Sequence, residues 1–153
     1  MQDYLKRGWP GWVIIGAMFF VAIREWPSAP ASIPTHWNWA GEVDGHGGKF
    51  AGLLLMPIMA AGLWVLLSAA PLLKPDQFDR STIRAFNFFS YVALGLIVEV
   101  FSVTMLWLHG TTVNMSSVIL PSVLAMYAAI ANLVWRGWQK RKRDANRGIR
   151  NPA

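Results

Sequence analysis

Pro34-Thr35-His36-Trp37-Asn38-Trp39-Ala40-Gly41-Glu42-Val43-Asp44-Gly45-His46-Gly47-Gly48-Lys49 is the longest polar, glycine-rich stretch between apolar runs. Trp26, Trp37 and Trp39 crowd its start. The runs around it are apolar over 9–23, 50–73, 85–108 and 113–135; the last three reach the ~20 residues a membrane helix needs, and the first comes close to it with Arg24-Glu25-Trp26 as an outer collar. The expected fold class is therefore an all-α integral membrane protein: four transmembrane helices with one signature loop on the outer side.

Composition agrees. Of the 153 residues, 54% are hydrophobic and only 14% charged, too apolar a balance for an ordinary soluble domain. With no cysteine, disulfides, thiol chemistry and Cys-ligated zinc are excluded. The formal charge of +6 raises the question of nucleic acid, but seven of the fourteen basic residues lie between Arg136 and Arg150, just past the last apolar run. Lys and Arg in that position act as orientation signals and as contacts with anionic lipid. The bilayer is the expected partner, and nucleic acid is not.

Spans are expected near 8–26, 50–73, 84–109 and 113–137, forming one domain over 1–137. The outer loop is 27–49, and 138–153 is a basic cytoplasmic tail. Pro10 falls in the first turn of the first span, where its missing N–H costs nothing. Ala29-Pro30-Ala31 resembles a signal-peptidase site, yet Arg24 and Glu25 stand between it and the apolar run, so a retained helix is expected. Pro57 and Pro71 interrupt the second run and Pro121 the fourth, which membrane helices tolerate.

The basic residues also give a direction. With four spans both termini share a side, and that side holds twelve Lys and Arg against Arg24 and Lys49 on the other. The positive-inside rule places both termini in the cytoplasm and the loop outside. Trp9, Trp12, Trp135 and Trp138 then mark the inner interface, and Trp26, Trp37, Trp39 and Trp107 the outer one. Only Trp64 falls well inside a span.

Two places carry groups capable of chemistry. The loop offers His36, Glu42, Asp44 and His46, but their spacing matches no metal-ligand motif. A compact turn-rich cap without metal is the expectation, with Trp37, Asn38, Gly41, Gly45 and Lys49 completing the binding surface. Glu99 lies near the middle of the third span, where insertion of an acid costs roughly 2.5–3.5 kcal/mol, so it should face the bundle interior. Ser122 is level with it on the fourth span and is a candidate hydrogen-bond partner, while Asn132 is a further intramembrane polar group. No catalytic motif and no cofactor site is found, and an enzyme is not expected.

The pattern I-P-x-H-W-N-x-x-G-E-x-D-G-x-G-x-K, read from Ile33 to Lys49, resembles the signature loop of the SdpI-like family of bacterial integral membrane proteins. The order of spans resembles that family's amino-terminal half. Ala131-Asn132 is similar to its Gly-Asn near the end of the fourth span, and Asn146 to Pro152 looks like a shortened form of its following segment, with Asn151 where the family has Thr. The resemblance implies an immunity or receptor-type membrane protein that recognises an extracytoplasmic peptide or a partner surface through the loop. The alternative is a small accessory subunit of a larger membrane complex.

Overall fold

The computed structural model describes residues 8–73 and 78–150, with side chains described as far as Asp144. Asn151 and Pro152, named above, lie outside the described residues, as do Lys6, Arg7 and Lys74 of the twelve basic residues counted above; the candidate site residues all lie within them. The order of elements is α1 (Trp9–Glu25), β1 (Ile33–Trp37), β2 (Val43–Gly47), α2 (Phe50–Leu73), α3 (Arg80–Leu108) and α4 (Met115–Arg150). The chain is mostly helical. In place of an irregular loop, residues between α1 and α2 form a two-stranded antiparallel sheet, which corrects the all-α expectation.

Among the described residues, three helices are long and apolar enough to cross a membrane: Phe50–Leu73, Arg80–Leu108 and Met115–Asp144. At 17 residues α1 is about 26 Å long, somewhat short of a ~30 Å hydrocarbon core. The first turn of α2, Phe50–Leu54, is π-helical, and Leu55 N–H reaches back to Phe50 C=O. This widened turn lies just ahead of Pro57, whose ring would crowd the carbonyl four residues before it in a regular helix.

The core is the seam between α1, α2 and α3. On α1 the buried residues Gly11, Ile15, Met18 and Ala22 recur at steps of three and four, the period of one helix face. On α2 the same spacing buries Leu53, Pro57, Ala60 and Trp64. Leu94 and Phe101 close the seam from α3. Trp64, 3% exposed, is the largest of these side chains and tilts against Tyr91 with ring centroids 5.1 Å apart. Its indole also lies on Gly11, where any Cβ would overlap the ring, so glycine sets the approach of α1 to α2.

Helix starts follow local chemistry. α3 begins at Arg80, four residues before the predicted span, because Asp79 caps it: its carboxylate accepts from Thr82 N–H at 2.7 Å and from Ser81 Oγ at 3.1 Å. α4 runs past 137 as one helix to Arg150. Residues 138–144 (Trp-Gln-Lys-Arg-Lys-Arg-Asp) hold five good helix formers and no Gly or Pro to stop it. Lys142 Nζ lies 3.7 Å over the Trp138 ring there. The most apolar window of α4 is only 6% buried, against 28% for α2 and α3, so most of α4 faces outward.

Candidate functional site

The hairpin and the ends of α1, α2, α3 and α4 nearest to it make one end of the molecule. Strand pairing begins at Ile33 opposite Gly47 and ends at Trp37 opposite Val43, with bulges beside His36. Ile33 and Pro34 anchor the sheet, both fully buried. Gly52 of α2 lies under Ile33, and a Cβ there would come within 2.5 Å of the Ile33 side chain.

The turn between the strands is built by Asn38 and Glu42. Asn38 N–H donates to Glu42 C=O at 2.9 Å, and Glu42 N–H returns to Asn38 Oδ1 at 3.0 Å. Asn38 Nδ2 also donates to Glu42 Oε2 at 3.1 Å. Gly41, at φ 80°, reverses the chain and donates to Asn38 C=O. Asn, Gly and Glu in the W-N-x-x-G-E segment are thus accounted for by turn geometry.

Two ties hold the hairpin in place. Lys49 Nζ donates to Trp26 C=O at 2.8 Å and to Pro27 C=O at 3.4 Å, joining the exit of the hairpin to the end of α1. At the tip, Asn114 Nδ2 donates to Ala40 C=O and Ser116 Oγ to Trp39 C=O, both at 2.9 Å. Asn114 also caps α4, its Oδ1 accepting from Ser117 N–H at 3.0 Å. Nearby, His109 Nε2 lies 3.8 Å from Glu25 Oε2, linking the ends of α3 and α1.

These ties leave one edge of the hairpin open. His36 Nδ1 and Asp44 Oδ1 are 2.5 Å apart, and both side chains are largely exposed. Gly45 makes room for the pair, since a Cβ there would lie 2.8 Å from His36 Cβ. Trp39 is 100% exposed. Between this edge and the first turns of α4 runs a groove of about 610 Å³, lined by His36, Trp37, Asn38 and Asp44 on one side and Met115, Ile119, Leu120 and Val123 on the other. A smaller hollow of about 170 Å³ lies on the opposite face, where Trp37, Gly41, Glu42 and Val43 meet Val103 and Trp107.

Of the predicted site residues, the structure brings His36, Trp37, Asn38 and Asp44 together at the groove. Gly41 and Gly45 support them, Glu42 closes the turn on the far face, and Lys49 serves as a structural tie. Among the described residues no three of His, Cys, Asp and Glu converge. Glu99 is half-buried, and its Oε2 is enclosed with no hydrogen-bond partner among the described residues. Ser122, half-buried on α4, does not bond to it. Asn132 Oδ1 accepts from Arg136 Nε at 2.9 Å. Sequence reasoning missed Asn114 and Ser116, although an Asn just before an apolar run is a helix-start signal. It also missed the α4 wall, which no local pattern connects to a hairpin some seventy residues earlier.

The fold and this end of it define a multi-pass helical membrane protein whose first two helices are joined by a tied-down β-hairpin. Residues 13–61 match the model of a family described as a domain of unknown function, DUF1648. The match takes in most of α1, the whole hairpin and the first half of α2, and therefore the His36–Asp44 pair, but not Asn114 or the α4 wall. No curated protein and no solved structure matches the chain.

Proposed function

We propose that this chain is an SdpI-like bacterial inner-membrane protein of the immunity or receptor type. In this reading α1 is a fourth span, both ends of the chain are cytoplasmic, and the hairpin recognises an extracytoplasmic peptide or partner surface. The observation that carries it is the hairpin's open edge. The fully exposed Trp39 stands beside the exposed His36–Asp44 pair, on a backbone held at both ends by Lys49, Asn114 and Ser116. An exposed aromatic on a rigid polar platform is the composition of a recognition surface, because the backbone beneath it is already ordered and an indole has only two side-chain angles to fix. Glycine-rich turn chemistry explains the rest of the loop, and the exposed Trp39 indole takes no part in it.

A second reading, an accessory subunit of a larger membrane complex, draws on the low burial of α4. Photocrosslinking in intact cells separates the two. A benzophenone amino acid at position 39 should capture an extracytoplasmic peptide or protein, and one at Tyr127, exposed on α4, should capture lipid. Crosslinks from Tyr127 to one integral membrane protein in stoichiometric yield would favour the accessory subunit. Absence of any product from position 39 under conditions where the chain is produced would overturn the recognition reading.

A further inference from the structure

The groove beside the hairpin is polar along one edge and apolar along the other. The polar edge is His36 and Asp44 with Asn38 beside them. The apolar edge is α4, where Met115, Ile119 and Val123 succeed one another at steps of four, with Leu120 alongside. From Met115 to Val123 this wall runs about 12 Å along the helix axis. Met115 is buried at its start, Ile119 and Val123 are half-buried and Leu120 is exposed, on the first turns of a helix whose most apolar window is hardly covered by protein. The wall therefore lies at the depth of headgroups and upper acyl chains in the leaflet on the hairpin side. A ligand confined to water would leave that wall unused.

Charge narrows the choice. Asp44 is a carboxylate on the lining, and among the described residues no Lys or Arg lines the groove. Lys49 is turned to the carbonyls of Trp26 and Pro27. A cationic group therefore meets the Asp44 carboxylate, one oxygen of which His36 Nδ1 already holds, and Trp37 and Trp39 add aromatic faces that attract cations. The opposite edge begins at the N-terminal turn of α4, the positive end of a 36-residue helix. There Asn114 caps Ser117 N–H, while the N–H groups of Met115 and Ser116 have no acceptor among the described residues. Such a turn favours a phosphate. Ammonium at one edge, phosphate at the other and hydrocarbon along the wall is the layout of an aminophospholipid. A basic peptide would satisfy Asp44 equally well, but it brings no phosphate to the helix end.

We propose that this groove binds one zwitterionic phospholipid bearing a primary amine, drawn from the leaflet on the hairpin side. Its ammonium lies at Asp44 and its chains lie against Ile119, Leu120 and Val123. The volume of about 610 Å³ admits a headgroup, glycerol and the upper chains, within the usual range for small-molecule sites. This inference stands apart from peptide recognition, because it needs only the wall, the dyad and a surrounding bilayer.

Native mass spectrometry of the full chain released from mild detergent tests it, with phosphatidylethanolamine, phosphatidylglycerol, soluble phosphoethanolamine and a synthetic lysine–leucine amphipathic peptide as probes. One equivalent of phosphatidylethanolamine should be retained, with phosphatidylglycerol held about tenfold less well. Asp44→Asn should lower retention by about tenfold through the lost charge. Ile119→Trp should do so by filling the groove while leaving the dyad intact. Thermal unfolding identifies a variant that fails to fold, in which case the other decides. Equal retention of the two lipids, or a folded Ile119→Trp protein that keeps its lipid, overturns the site. Displacement of the lipid by phosphoethanolamine alone overturns the role of the wall. Asp44-dependent binding of the peptide with no lipid retained makes the groove a peptide site instead.

Discussion

Gly41 is packed against Asn114: at φ 80°, a Cβ on Gly41 would lie 2.6 Å from Asn114 Oδ1. The same Asn114 side chain donates to Ala40 C=O and caps α4, so the hairpin tip and the helix start share one residue. Gly41→Ala should destabilise the protein by about 1–3 kcal/mol, from positive-φ strain and the clash together. Asn114→Ala should cost about 1–2 kcal/mol for the lost cap and the lost tie. Because both act on one contact, the double variant should be less destabilised than the sum. Thermal unfolding in detergent with hydrogen exchange across the hairpin measures this, and strict additivity would mean the two residues act separately.

The helices were legible because apolar run length alone identifies them, and Trp64 was legible as the tryptophan inside a span. The hairpin was not. Val43 to Gly47 has one apolar residue in five and two glycines, so no alternating pattern signals a strand. Without the strands, His36 and Asp44 are two polar residues eight apart, and only antiparallel pairing places them side by side. Glu99 and Ser122 show a different limit. Counting turns from the helix ends gave their common depth, but depth leaves the rotation of each helix about its axis open. A hydrogen bond needs both.

Asp79 links pH to the start of α3. Hydrogen bonding from Thr82 is the largest influence on its carboxyl, with Ser81 and the charge of Lys140 adding to it, and together they hold its pKa at about 2 against an ordinary 3.8. Since the folded-state value is the lower one, the cap contributes fully above about pH 4 and fades as pH falls towards 2. Asp79→Ala should cost about 1 kcal/mol at neutral pH and speed exchange of the Thr82 and Ile83 amides. The difference from wild type should shrink on acidification. A gap that stays constant down to pH 2 would show that the carboxylate's charge is not what caps the helix.

The proposed topology has a direct check, because the chain has no cysteine of its own. A Cβ at Gly48 meets nothing within 4 Å, and Asp144 is exposed, so Gly48→Cys and Asp144→Cys are each tolerable. In intact cells a membrane-impermeant maleimide should label the first alone, and permeabilised cells should show both. The reverse pattern would invert the molecule, and labelling at both sites in intact cells would remove one span from the count.

Glu99 gives the sharpest test of the bundle interior. Its Oε2 is enclosed without a hydrogen-bond partner among the described residues, in the second half of α3, whose next turn carries Val103, 3% exposed. A buried polar atom left unpaired costs about 1–3 kcal/mol relative to an apolar group of similar shape. Met matches the length of Glu, adapts to irregular space and has no strong need for a partner. Glu99→Met should therefore unfold at the same temperature as wild type or higher, and Glu99→Gln should gain nothing, since its amide needs partners of its own. A stabilised Glu99→Met protein would mean that the acid is retained at a cost to stability, the usual mark of an intramembrane group kept for what it does. Thermal unfolding of the three proteins in one detergent decides the matter. If Glu99→Met unfolds well below wild type while Glu99→Gln does not, the acid holds a partner such as a bound ion or a hydroxyl, and the orphaned oxygen is not the state that matters in the membrane.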